Sequence, residues 1–209
     1  MAVLKCFIGG LIGALLGAAV WAAIYHYADF ELGLVAWGVG IAAGVGVRVA
    51  MYDSSCNMSG VIALVCACVG LVGGKYAGVK LDVNEFMEGS YNESQLLHHA
   101  RVVIADDIAL SWQDQGRELA WPEGMTYEEA WDQSDYPVDV WRAMEETWDG
   151  LPESEREDRI DDARADVDTY TAALTKEVFW DSFSLFDGLW FLLALGSAWK
   201  IAEDDDGMI

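Results

Sequence analysis

Four apolar stretches alternate with polar ones along this chain. The first, residues 6–28, lies between Lys5 and Asp29 and holds 23 residues without a formal charge when His26 is neutral. A hydrocarbon layer about 30 Å thick takes roughly 20 helical residues at about 1.5 Å each, so this stretch can cross one. The second, residues 32–47, is 16 residues long, and Arg48 can extend its aliphatic stem so that the span continues to Tyr52. The third, residues 54–74, runs 21 residues between Asp53 and Lys75. The fourth, residues 188–199, holds only 12 and reaches crossing length as 182–199, with Asp187 inside it. Lys5 and the small residues at 18–23 would suit a cleaved leader. However, the first run outlasts an ordinary leader core and a second follows closely, so it reads as a retained helix.

Between the third and fourth stretches the pattern turns amphipathic. Leu97, Ala100, Ile104, Ile108 and Trp112 recur at three- and four-residue steps and predict a helix, which Gly116 and Pro122 interrupt. Thr126 followed by Glu129 has the form of a capping box and predicts a short helix through Trp131. Pro137 suits the first turn of a helix carrying Val140, Trp141, Met144 and Trp148, with Gly150 stopping it. Neither Pro nor Gly occurs from Glu153 to Asp187, where Ile160, Ala163, Val167, Tyr170, Leu174 and Val178 form one stripe. Such a stripe predicts a helix packed on another. Unbroken to Ala202, it would extend over 50 residues, about 75 Å. The predicted fold is all-α: a four-span helical membrane protein with an acidic helical insert between spans three and four, forming a stalk-like extramembrane domain. The predicted domains are residues 1–82, with three glycine-rich spans, residues 83–176, the insert, and residues 177–209, the fourth span and an acidic tail.

Charge sharpens this division. The chain has 209 residues, 35 acidic and 12 basic, yet 54% of it is hydrophobic. Residues 83–175 hold 24 of the acids and six arginines, a net of −18, while the remainder carries a net of only −5. A disordered acidic protein could not keep so apolar a remainder in water. Nucleic acid is excluded as a partner, because phosphate contacts need clustered Lys and Arg. Four cysteines in a chain of this length make no disulfide framework.

The densest motif is small-residue spacing. Gly9, Gly13 and Gly17 stand four apart, as do Gly70, Gly74 and Gly78, while Gly40 and Gly44 form a single pair with Gly38, Ala42, Gly46 and Ala50 as a second small stripe. Glycine costs a helix about 1 kcal/mol relative to alanine, so this density needs a packing reason. Where lipid removes any hydrophobic drive, small faces let backbones approach closely. Those faces serve either the spans of one chain or a second copy, a homo-oligomer. Lys75 and Asp187 fall at matched depth near the insert-side ends of spans three and four. They either pair, reach separately to headgroups, or join an ion relay. Arg48, toward the other face, can meet Asp53, Glu203 or a headgroup.

Trp21, Trp37, Trp180 and Trp199 suit an interfacial belt, and Trp112, Trp121, Trp131, Trp141 and Trp148 suit the core of the insert. His98, His99, Asp106 and Asp107 invite a metal reading, but their spacing matches no metal-binding pattern. Cys66 and Cys68 face different sides of one helix as free thiols. With no nucleophile–base signature either, no catalytic, metal or cofactor residue is expected. The acidic surface attracts cations or serves as a solvated face, as in a high-salt setting.

The stretches GGLIGALLGAAVWAAI (9–24), AWGVGIAAGVGVRVA (36–50) and SLFDGLWFLLALGSAWKIA (184–202) resemble small, uncharacterised multi-spanning bacterial membrane proteins with glycine-rich spans. The likeness covers the spans and implies membrane residence, leaving the insert unmatched and activity unaddressed. Four spans put both termini on one side. Lys5 before the first helix, with Asp29 and Glu31 after it, predicts cytoplasmic termini and an extracytoplasmic insert in the cell inner membrane. The functional expectation is a non-enzymatic, self-associating membrane protein whose acidic domain engages a protein partner. Two alternatives are an oligomeric cation channel or transporter with the insert as vestibule, and a membrane enzyme sited around His98, His99 and Asp181.

Overall fold

The computed structural model describes residues 2–28, 33–52, 56 and 58–203. Among these the backbone forms seven α-helices and one 3-10 turn, with no strand. The helices are α1 (Ala2–Ala28), α2 (Gly33–Ala50), α3 (Ser59–Ser90), α4 (Glu93–Asp114), α5 (Val138–Gly150), α6 (Glu153–Asp181) and α7 (Leu185–Glu203). Four of them, α1, α2, α3 and α7, are long and apolar enough to cross a membrane. Asp29, Glu31, Asp53 and the acidic tail after Glu203 lie outside the described residues.

The chain divides into two compact units, residues 1–85 with 173–209, and residues 86–172. In the first, the order around the bundle follows from its contacts. Gly9, Gly13 and Gly17 of α1 face Gly46, Ala42 and Val39 of α2, so these helices are antiparallel. Gly70, Gly74 and Gly78 of α3 face Ala14, Ala18 and Tyr25 of α1 in parallel register. Gly40 and Gly44 of α2 face Ala194 and Ala198 of α7, again in parallel. Gly60 of α3 meets Trp199 of α7 and closes the ring α1–α2–α7–α3.

Side-chain size sorts across this bundle. Small residues such as Ala14, Ala18, Ala43, Ala63, Ala67, Ala194 and Ala198 are buried, whereas Leu15, Leu16 and Val20 of α1 are 53%, 65% and 56% exposed. A protein folded in water would turn those large aliphatic side chains inward. In lipid they already lie in an apolar medium, and small residues gain more at the interface because backbones can then approach.

The second unit has a conventional core. Val102, Ile104, Ala105 and Ala109 of α4 pack with Tyr136 and with Val140, Trp141, Met144 and Trp148 of α5 and Ala163 of α6, while Trp112, Trp121 and Trp131 pack around them. Asn92 caps α4 by accepting from the Gln95 N–H at 3.1 Å.

Two sequence expectations differ from the fold. The helix predicted from Thr126 through Trp131 is a series of turns, and the next helical element is the 3-10 turn Gln133–Asp135. Gly124 turns the chain at φ +81°, and the Asp135 carboxylate takes the N–H groups of Trp131 and Asp132 at 3.2 and 2.8 Å. The capping box therefore forms at Asp132 and Asp135 instead. The unbroken 50-residue helix is also absent, because α6 stops at Asp181 and α7 begins at Leu185. Along α6 the inward positions include Ile160, Ala163, Val167, Thr171, Leu174, Thr175 and Phe179, whereas Tyr170 and Val178 of the expected stripe are 58% and 36% exposed.

Candidate functional site: a buried ion pair at a helix break

Lys75 of α3 follows directly on Gly74, and its side chain is wholly shielded, as only a compensated ammonium can be. Its Nζ donates to Asp187 Oδ2 at 3.0 Å and to the Ser182 carbonyl at 2.8 Å, and lies 4.7 Å from the centre of the Phe183 ring. All three partners belong to the segment around the break between α6 and α7.

That break is built from Ser184 and Asp187. The Ser184 N–H donates to Asp187 Oδ2 at 2.7 Å and the Ser184 hydroxyl donates to it at 3.0 Å. The Asp187 N–H donates back to Ser184 Oγ at 3.3 Å. This reciprocal cap starts α7 with an aspartate where a capping box more often has glutamate or glutamine. The charges also suit the helix ends, with the ammonium at the C-terminal end of α6 and the carboxylate in the first turn of α7. A web of rings surrounds the break: Phe179, Phe183, Phe191 and Trp21 make successive edge-on contacts at 5.2–6.2 Å.

The matched depth of Lys75 and Asp187 was legible in the sequence, and the structure brings them together. Ser182, Phe183 and Ser184 were not anticipated, although the Ser-x-x-Asp spacing at 184–187 was the available signal. Arg48 donates to the Ile201 carbonyl at 3.4 Å. Glu203 accepts instead from the Trp199 indole N–H. The eight packing glycines all lie against another helix of the same chain: a methyl at Gly9 would meet Ala50 Cβ at 2.6 Å, one at Gly40 would meet Ala194 Cα at 2.7 Å, and one at Gly78 would meet Tyr25 Cδ1 at 2.8 Å. By contrast, Gly38, Gly73, Gly188 and Gly196 face open space. A second tie joins α1 to α3, where the His26 Nδ1 lies 2.8 Å from Asp82 Oδ1 and its Nε2 lies 3.5 Å from Glu85.

In the second unit His98 bonds through Nε2 to the Trp131 carbonyl at 2.9 Å, and His99 stacks on the Trp131 ring at 5.5 Å. Tyr136 donates its hydroxyl proton to Asp106 at 2.6 Å. Burial raises the Asp106 carboxyl above the ordinary range, against the lowering effect of that bond, and burial together with the same bond raises the Tyr136 phenol. His98, Tyr136 and Asp106 are hydrogen-bonded within the unit, whereas His99, stacked on Trp131, keeps a buried Nδ1 without a hydrogen-bond partner. Among the described residues no group of three or more His, Cys, Asp or Glu stands where it could hold a metal. Asp181 belongs to the other unit.

The four long apolar helices, their outward aliphatic side chains and the shielded ion pair define an all-helical protein of the membrane class. No protein-family model matches the chain, and no curated protein or solved structure matches it.

Proposed function

We propose that this chain is a non-enzymatic integral membrane protein, a scaffold whose four spans hold one another through glycine faces and which presents its acidic helical segment as a stalk-like interaction domain. The observation that carries the reading is the occupation of all eight glycines by neighbouring helices of the same chain. Such packing makes a rigid support. The buried Lys75–Asp187 pair closes that support between α3 and α7.

The α6 surface supports the interaction role. Glu153, Glu155, Glu157, Asp158, Asp161, Asp162, Asp166 and Asp168 are all exposed, and a field of that sign favours a basic protein partner. Self-association is part of the same proposal, at a different surface. Glycines already filled from within the chain cannot also receive a second copy, which leaves Gly38, Gly73, Gly188 and Gly196 on the outer faces of their helices. The membrane is an inner membrane with cytoplasmic termini, from the Lys5, Asp29 and Glu31 asymmetry.

Native mass spectrometry of the protein released from lipid reads subunit number and copurifying chains together. The expected result is a multimer that Gly73→Leu or Gly188→Leu dissociates while the subunit stays folded. A bare monomer at every protein concentration, with nothing attached, would remove both self-association and the partner.

A further inference from the structure

We propose that the fourth crossing is discontinuous: the chain enters the hydrocarbon on the last turn of α6, breaks at residues 182–184 within the bilayer, and completes the crossing as α7. Its outward side chains there, Trp180, Leu185 and Phe186, then lie against lipid acyl chains. The inference rests on the membrane reading and adds where the bilayer ends and what it encloses.

Length is the first argument. The apolar part of α7, residues 185–199, is 15 residues, about 22 Å of helix against a hydrocarbon layer about 30 Å thick. At the C-terminal end Lys200 and Glu203 follow at once, so only the reach of the Lys200 stem can be added there. At the N-terminal end residues 180–184 complete it to 20 residues over 180–199, with the exposed Asp181 at the point of entry, where its carboxylate faces the headgroups.

Exposure is the second. Trp180 is 64% exposed, Leu185 96% and Phe186 74%. These three large apolar side chains flank the break and continue the lipid-facing surface of Leu189, Leu192 and Leu193 on α7. A water boundary drawn below them would leave a patch that soluble surfaces seldom carry.

The backbone of the break supplies the third. Polar backbone at membrane depth is tolerated only where the protein itself satisfies it. Here the Ser182 N–H donates to Val178 at 2.9 Å, the Phe183 N–H to Trp180 at 3.4 Å and the Ser184 N–H to Asp187 Oδ2 at 2.7 Å. The Ser182 carbonyl accepts from Lys75, the Ser184 carbonyl accepts from the Asp187 N–H at 3.2 Å, and the Ser182 hydroxyl donates to Phe179 at 2.8 Å. A turn in water would need no ammonium to satisfy its carbonyl.

Depth on the opposite helices agrees. Gly74 and Gly78 of α3 lie against Trp21 and Tyr25 of α1, so Lys75 is level with a part of α1 that carries no formal charge until Asp29. Lys75 therefore lies about two turns below the end of the apolar run of α1.

The test places single spin labels at positions 180, 186, 192 and 170 in the full chain in liposomes and compares accessibility to oxygen, which enters lipid, with that to a water-soluble nickel chelate. Positions 180 and 186 should match 192, in the middle of α7, and oppose 170, on the exposed face of α6. Nickel-dominated labels at 180 and 186 with an oxygen-dominated label at 192 would overturn the discontinuous crossing and leave the membrane reading intact. Nickel dominance at 192 as well would overturn both. In the unaltered cysteine background, Trp180→Phe should also remove a component of tryptophan fluorescence quenched by bromine-labelled acyl chains. An unchanged quenched fraction would count against lipid contact at that position.

Discussion

Replacing Lys75 by Met removes the ammonium and leaves two groups behind. The Asp187 carboxylate, with a side chain 10% exposed, keeps its Ser184 donors but loses its counterion, and the Ser182 carbonyl loses its 2.8 Å donor. Breaking a buried pair from one side costs about 3–5 kcal/mol, so Lys75→Met should lower the folded-to-unfolded ratio by roughly two to four orders of magnitude. Asp187→Asn removes the other charge and should cost a similar amount, although the amide oxygen can still accept from Ser184 and keep the cap of α7. The double variant Lys75→Met with Asp187→Asn buries no charge. Its remaining defect is the bare Ser182 carbonyl, a cost of about 1–3 kcal/mol. The double variant should therefore be more stable than either single one, a coupling only contacting residues can produce. Unfolding in mixed micelles as denaturing detergent is raised, followed by tryptophan fluorescence, measures all four proteins. A Lys75→Met cost below about 1 kcal/mol, or a double variant whose loss equals the sum of the single losses, would refute the reasoning.

Further outcomes follow from other contacts. Gly13→Leu drives a side chain into the Ala42 backbone and should cost about 3 kcal/mol or more in the same assay, whereas Gly73→Leu, which faces open space, should stay within about 1 kcal/mol of the parent. Tyr136→Phe removes the hydroxyl bonded to the half-buried Asp106 and should destabilise the second unit by about 1–3 kcal/mol at neutral pH, read by hydrogen exchange of α4 amides. Asp135 is held below the ordinary aspartate value of 3.8 by the N–H groups of Asp132 and Trp131. Its contribution is therefore present above that value and disappears as pH falls through the lower folded one. Asp135→Asn should flatten the acid limb of the stability profile below about pH 4, and an acid limb identical to the parent's would remove this assignment.

Much of the fold was legible because medium and period dominate it. The first three spans declare themselves by uncharged length, and Leu97 to Trp112 and Val140 to Trp148 by helical spacing between real stop signals. What failed was local punctuation. Thr126 and Glu129 looked like a helix start, and the Glu129 and Ala130 N–H groups do turn back to the Thr126 carbonyl, but the next amides, those of Trp131 and Asp132, donate to the Asp135 carboxylate and end the turn. Residues 153–202 looked continuous because no Pro breaks them and Gly188 comes only after the break. The stop comes from Ser184 and Asp187 bonding to each other, helped by a lysine more than a hundred residues away. Depth could be counted along the chain for Lys75 and Asp187. Which glycine faces which helix is a tertiary fact, and small residues specify closeness without naming a partner.

The closure of the ring by its last helix has a consequence for synthesis. Lys75 emerges from the ribosome 112 residues ahead of the carboxylate that neutralises it. At translation rates of about 5–20 residues per second, that leaves roughly 6–22 s with the third helix made and its cation unmatched. During that interval the nascent three-helix assembly has to shelter an ammonium with water, lipid phosphate or the insertion machinery, while the whole second unit is produced. A chain truncated before α7 would be stranded in that condition, an obvious substrate for membrane quality control.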